Sequence, residues 1–351
     1  MNKRLYEDQV AAQTRRANFE KTLFQPGQEL KATDVASKVN RNAASGVGFS
    51  AKNTKNLQAD ELAKVLREDG VIRLDNCLKK TTTTALRAHI LRELALSRID
   101  ITTGVVGARE VLGMEAERKL RDDYLMSFGP PTVATEGEEH PMVSGHPMAV
   151  ALNELFGDNG KLRQLYEIVV TKKGTMYELA VMVTEPGADR QMIHADMPYS
   201  KEPPLYSIFC ALQDISMEMG PTVFLPGTAT SHDHQRWQDK KTFDEYLGSK
   251  IPTFALLKAG DLIVYDPRIL HCGAENELES GSTRAMFNVG FRNPKVTGDF
   301  GYKGSLRTGY SDKISFGDLT NYLSGFQEGQ KKDPFVKLGN GLFDVQSNNR
   351  K

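Results

Sequence analysis

Apolar positions along this chain recur at helical spacing up to about residue 160, then change to short runs punctuated by Gly and Pro. Leu5, Val10, Phe19 and Leu23 sit among charges and predict a helix over residues 5–24 that stops at Pro26. Residues 26–56 carry Lys, Asn, Ser, Ala and Gly without a period and read as a polar connection. Leu62, Val65 and Leu66 then mark one face of a helix over Ala59 to Asp69, which Asp69-Gly70 turns into a strand over Val71 to Leu74. Further helices are expected over Thr83 to Ser97, Ala108 to Asp122 and Pro147 to Phe156, with Pro130-Pro131 breaking the stretch between the last two. Ile99 to Gly145 is the least regular part of the chain, and loops of such length often border a site.

From Leu162 onward the expected strands are Leu165 to Val170, Met176 to Thr184, Gln191 to Asp196, Tyr206 to Gln213, Thr222 to Leu225, Thr253 to Lys258, Asp261 to Asp266 and Arg284 to Phe291. Glu185-Pro186-Gly187, Gly220-Pro221, Pro226-Gly227 and Ala259-Gly260-Asp261 fall where these strands must reverse. The pattern predicts a mainly β fold with flanking helices around a double-stranded β-helix, the jelly-roll core of cupins. The expected organisation is a helical and polar extension over 1–56, a jelly-roll domain over 57–310 and a C-terminal extension over 311–351. No internal repeat is present.

Charge narrows the partners. The 351 residues carry 45 basic and 45 acidic side chains, so no net field favours nucleic acid or an anionic membrane. No stretch approaches the roughly 20 apolar residues that span a bilayer. Cys77, Cys210 and Cys272 lie far apart without a C-x-x-C pair, which argues against a disulfide framework and a zinc knuckle. Met1 to Gln25 lacks the apolar run of a signal peptide and carries Glu7, Asp8 and Glu20, unusual for a transit peptide. The expectation is a cytoplasmic protein acting on a small molecule, with a monomer favoured.

The chemistry gathers in the second half. His194-Ala195-Asp196 places an imidazole and a carboxylate two positions apart, so an extended backbone points both to one face. His271, from a distant segment at the rim of the barrel, can complete a triangle. Two imidazoles and one carboxylate with the opposite positions open is the arrangement of non-haem Fe(II) oxygenases; zinc is the chief competitor for such ligands. Arg284 adds a planar donor fork matched to a carboxylate, suited to the far end of a dicarboxylic co-substrate such as 2-oxoglutarate.

Four pieces in order make the segment from Glu185 to Arg292 resemble the phytanoyl-CoA dioxygenase-like branch of the Fe(II)/2-oxoglutarate dioxygenases. They are Glu185-Pro186-Gly187 leading into Gln191 to Asp196, the stretch Gly220 to Thr228, the stretch Ala259 to Asp266, and His271 with Arg284. Glu68 to Ile72 is similar to the opening of that family's catalytic domain, so the resemblance covers about Leu57 to Pro294. It implies that His194, Asp196 and His271 bind iron and that Arg284 binds the distal carboxylate of 2-oxoglutarate. Arg292 is the rival for that role, but it sits at the strand exit before Asn293-Pro294. The implied reaction consumes O2 and 2-oxoglutarate, releases succinate and CO2, and oxidises a C–H bond of a small metabolite. Hydroxylation is the default, and oxidative cyclisation or desaturation of an amino-acid-derived metabolite is the runner-up. A non-catalytic binding module on the same barrel is the alternative from another class. The carboxylate at Asp196 argues against a halogenase, in which a small residue frees that position.

Other residues carry weaker assignments. Gln191, Tyr177 and Thr222 are candidates for the near carboxylate or keto end of 2-oxoglutarate. Phe209 and Tyr199 could wall the pocket, and Arg73, Arg121 and Arg190 are possible clamps for a substrate carboxylate. His232 and His234 form an H-x-H pair that reads as a solvated loop; His89, His140 and His146 read as surface or satisfied histidines. Cys272 reads as a small packing residue beside His271.

Overall fold

The computed structural model describes residues 57–113, 120–127, 145–298, 300, 304–307 and 310–324. The helix expected over 5–24, the connection 26–56 and His140 lie outside them.

Two antiparallel sheets form the barrel. The larger joins β1 (Val71–Leu74), β7 (Leu262–Tyr265), β4 (Leu205–Ala211), β9 (Arg284–Arg292), β3 (Met176–Thr184) and β2 (Arg121–Leu125) in that spatial order. The smaller joins β6 (Thr253–Phe254), β5 (Thr222–Leu225) and β8 (Leu270–Gly273). Helices α1 (Ala59–Asp69), α2 (Lys80–Thr102), α3 (Ala108–Val111), α4 (Pro147–Phe156) and α5 (Arg163–Val169) precede the main strands. Helices α6 (Ser231–Gln238) and α7 (Phe243–Gly248) lie between β5 and β6, and α8 (Phe316–Ser324) follows β9. None of the described helices is long and apolar enough to cross a membrane.

Local chemistry explains the boundaries. The Gln58 amide donates to the Glu61 carboxylate at 2.9 Å, completing a capping box for α1, and Gly70 at φ 75° ends that helix in the left-handed conformation. Thr83, Leu86, Ile90 and Leu94 recur at helical spacing as the buried stripe of α2, which starts earlier and ends later than its apolar positions alone mark.

Alternation on the large sheet divides two environments. Leu179, Val181 and Val183 of β3, Ile208 and Cys210 of β4, and Phe287, Val289 and Phe291 of β9 face outward into the helices. There Phe156, Tyr166, Phe291 and Phe316 meet mostly edge to face, with centroids 5.2–5.9 Å apart. Phe316 brings α8 into this core, so the packed body continues past residue 310. The inner face carries Val71, Phe209, Ala211, Ile263, Tyr265 and Met286, which pack against Phe224 of the small sheet.

Five expectations need correction. Arg163–Val169 is a helix where a strand was expected over Leu165 to Val170; a short apolar run does not distinguish the two, and Leu165, Tyr166 and Val169 bury on one helical face. The helix expected over Ala108 to Asp122 ends at Val111, and Arg121 and Asp122 open strand β2. Gln191 to Asp196 is not a regular strand, because only His194 makes a bridge, to His271. The strand expected over Thr253 to Lys258 is reduced to two residues. His232 and His234 lie on α6 rather than a loop; His234 is buried, its Nε2 2.7 Å from the Arg268 carbonyl oxygen.

Candidate active site

His271 sits within β8, flanked by Leu270 and Cys272, which face the outer side of the small sheet with Val223 and Leu225. His271 and Gly273 therefore face the interior. The segment before β4 runs antiparallel along the free edge of β8. Gln191 donates its amide to the Gly273 carbonyl at 2.8 Å, and His194 exchanges both backbone bonds with His271 at 2.9 and 2.8 Å. Three steps on one side match two on the other, so the edge carries one extra residue. The Gln191 side chain compensates by accepting the Gly273 N–H at 2.7 Å. Ile193 and Ala195 pack outward, which aims His194 and Asp196 inward beside His271.

Ligand atoms of His194, Asp196 and His271 lie within 4.8 Å of one another. Nε2 of His194 is 3.4 Å from Oδ1 of Asp196, and Nε2 of His271 is 3.5 Å from Oδ2. Each imidazole is fixed from behind by the carbonyl two residues earlier: Nδ1 of His194 lies 2.7 Å from the Met192 oxygen, and Nδ1 of His271 lies 3.0 Å from the Ile269 oxygen. Carbonyls accept only, so both Nδ1 atoms carry the proton and both Nε2 lone pairs point into the triangle. Burial opposes ionisation of Asp196, but positive charge on His271, a hydrogen bond from His194, each present only while the ring holds a second proton, and the Tyr265 hydroxyl 3.3 Å away lower its carboxyl to about 2; a cation in the triangle would take over the part of those protons. Burial pushes His271 below its ordinary value, against the pull of Asp196, and so disfavours imidazolium. Two unprotonated imidazole nitrogens and an ionised carboxylate are the donor set a divalent metal requires. The residues fit such an ion.

Register places the rest of the interior in rows across the large sheet. Arg121, Thr184 and Arg284 form one row on β2, β3 and β9. Arg284 is 2 % exposed; its guanidinium donates to the Gly220 carbonyl and, at 3.2 Å, to the Thr184 hydroxyl, while Nε has no partner among the described residues. Burial, and then the charge of Arg121, push it from 12.5 to about 9. The cation is thus held in an unfavourable setting, and no carboxylate is among the causes of the shift. An anion arriving here is strongly favoured. Arg121 is itself buried, donating to the Asp189 carbonyl at 2.9 Å. Gly273 makes room for it: a Cβ there would stand 2.4 Å from the Arg121 guanidinium and 2.8 Å from the Gln191 amide oxygen.

The remaining expected site residues are placed as follows. Thr222 is buried opposite Gly273 on the small sheet. Gln191 is engaged with Gly273, beside Arg121. Tyr177 lies at the other end of β3 from Thr184, against Met197, Leu205 and Phe300. Arg292 is spent on Asp312 at 3.3 Å, the Gly298 carbonyl at 3.0 Å and the Phe300 ring. Arg73 is locked to Asp75 and Asp261, at 2.8 and 2.7 Å, and is no clamp. Tyr199 is 40 % exposed over Arg268, whereas Phe209 stacks inside on Tyr265, with centroids 5.1 Å apart. Cys272 packs on the outer side of the small sheet, as a small apolar residue would.

A jelly roll that converges two imidazoles and one carboxylate, leaving the rest of a metal's coordination sphere to other ligands, falls in the class of non-haem metal-dependent oxygenases. The family model for phytanoyl-CoA dioxygenase (PhyH) matches residues 66–285. The chain belongs to that family and is an Fe(II)/2-oxoglutarate-dependent oxidoreductase. No curated protein matches it in sequence. Among solved structures it is similar to the non-haem α-ketoglutarate-dependent epimerase SnoN from nogalamycin biosynthesis, with 17% identity over 72% of this chain and 95% of that one, TM-score 0.44. It is also similar to the carbocyclase SnoK from nogalamycin biosynthesis, with 19% identity over 68% of this chain and 85% of that one, TM-score 0.42. A third is HygX from Streptomyces hygroscopicus with nickel and 2-oxoglutarate bound, with 12% identity over 69% and 89%, TM-score 0.45.

Proposed function

We propose that this chain hydroxylates a C–H bond of a small organic molecule, using one atom of O2 while the other enters succinate as 2-oxoglutarate loses CO2. The observation that carries the reading is the pairing of two features in one interior. The His194–Asp196–His271 triangle can hold a divalent metal, and the buried Arg284 cation meets no carboxylate among the described residues. In this reading the three side chains are the Fe(II) ligands, and Arg284 with Thr184 receives the distal carboxylate of 2-oxoglutarate. The bound iron supplies the activation of O2. The protein's share is positional. The Met192 and Ile269 carbonyls keep both imidazoles aimed, the Tyr265 hydroxyl steadies Asp196, and the Phe209, Phe224 and Tyr265 rings exclude water from that side of the triangle.

The test is succinate formation from 2-oxoglutarate under air with added Fe(II), followed by a metabolite screen for products that gain one oxygen atom. Wild-type protein forms succinate, and His194→Ala forms none while keeping its melting temperature. Equal succinate from both proteins would remove the assignment.

A further inference from the structure

Asn288 is an oddity of the interior. It lies on β9 with its side chain on the same face as Arg284 and Met286, between Ala180 of β3 and Phe209 of β4. It is 5 % exposed, and its Oδ1 has no hydrogen-bond partner among the described residues. Leaving a buried amide group unsatisfied costs about 1–3 kcal/mol, and the flanking Ala, Phe and Met side chains offer nothing to offset it. A leucine of similar shape would pack there without that cost. The group has a role only if a ligand brings the partner.

The row order says which ligand. Asp196 reaches the large sheet at Tyr265, and Tyr265, Ser207 and Gly290 occupy one row. Arg284 occupies the row at the other end. Asn288 stands between them, one row short of Tyr265 and two rows beyond Arg284, each row about 7 Å apart. It therefore stands on the Arg284 side of the row from which Tyr265 reaches Asp196. A substrate approaching from beyond the Gly290 row would meet Glu178 and Ser207 first, since both crowd the space over Gly290. Gln191, Tyr177 and Thr222 are poorer candidates for this place: Gln191 is engaged at Gly273, and Tyr177 packs at the opposite end of β3. Thr222 is across from Gly273, in the neighbourhood of Arg121.

We propose that the Asn288 side-chain amide anchors the α-keto acid end of 2-oxoglutarate, hydrogen-bonding its C1 carboxylate while Arg284 holds the C5 carboxylate. The amide presents both a donor and an acceptor, and rotation about its last bond exchanges them, so the NH2 group can serve the carboxylate. The assignment rests on the co-substrate reading above and gives that seat two ends: a cation for one carboxylate, a neutral amide for the other.

The experiment titrates anaerobic, Fe(II)-loaded full-length protein with 2-oxoglutarate, following the visible charge-transfer band of the chelate. Wild type, Asn288→Leu, Asn288→Ala and Arg284→Met are compared, each first checked by thermal melting. Asn288→Leu is expected to melt no lower than wild type, to raise the 2-oxoglutarate Kd at least 10-fold and to shift the band maximum, because the hydrogen bond sits on the chelating end. Asn288→Ala gives the same shift should the leucine perturb packing. Arg284→Met raises Kd and leaves the maximum in place. Unchanged Kd and band in both folded Asn288 variants would overturn the inference while leaving the co-substrate reading intact. A wild type with no band would instead overturn that reading.

Discussion

The two faces of the six-stranded sheet are made from the same strands and differ in almost everything else. The outer face is apolar without interruption on β3, β4 and β9, closed by helices and by the Phe156–Tyr166–Phe291–Phe316 cluster. On the inner face, one residue along each strand, Arg121, Asp123, Thr184, Asn288 and Arg284 are buried beside Met182, Met286 and Phe209. A cation repelled by its neighbour and an amide oxygen without a partner among the described residues are costs that a stability-driven core would not carry. The outer face holds the barrel together; the inner face carries buried polar and charged groups at a cost to stability, as a face built to meet charged ligands would.

Substitutions should therefore separate into two kinds. The largest effect is expected at the triangle, where His194→Ala or Asp196→Ala abolishes metal-dependent turnover and leaves the melting temperature within a few degrees of wild type; succinate assay and thermal melting read the two properties side by side. On the outer face Phe156→Ala should do the reverse, costing about 3–5 kcal/mol in denaturant unfolding while the folded fraction keeps the wild-type Kd for 2-oxoglutarate. Arg284→Met sharpens the contrast, because it should weaken 2-oxoglutarate binding about 100-fold, as expected when one partner of a buried charge pair is lost, and also raise the melting temperature. A variant that lost both affinity and stability would place Arg284 among structural residues.

The smallest expected effect is on pH dependence. Burial, aided by Arg92, lowers His89 from 6.5 to about 4, and its ring meets His146 edge to face at 4.5 Å. The unfolded chain binds a proton below about 6.5 that the folded chain refuses until about 4. Stability is thus fully present above 6.5 and declines as pH falls through that window. His89→Gln should flatten the decline in urea unfolding curves taken across it, and an unchanged slope would reject the assignment.

What could be read beforehand follows the same division. Thr222–Leu225, Met176–Thr184, Val71–Leu74, Ala59–Asp69 and Pro147–Phe156 agree with expectation because Gly, Pro or a clear change of period marks their ends. Helix Arg163–Val169 is not legible as a helix, because a short apolar run fits either element. Strand Leu270–Gly273 is not marked in the sequence, because its four residues include the polar His271 and a glycine whose missing side chain makes room for Arg121. The triangle was visible as residue types, although the bulged edge that aims His194 and Asp196 is no regular strand. Arg284 stands out in the chain by its place after His271, whereas Arg121 is one of three arginines with an equal claim, and only register sets it in the Arg284 row. Asn288 had no signal at all, since a strand asparagine reveals nothing in sequence about whether its amide finds a partner.

The most direct test of the central claim is an anaerobic titration of the metal-free protein with Fe(II) and then 2-oxoglutarate, watched for the visible charge-transfer band of the chelate, with His194→Ala alongside. A saturable band in the wild type, absent from the variant, is the predicted result. A folded wild-type protein that gives no band, or a variant that gives the same one, would contradict the account.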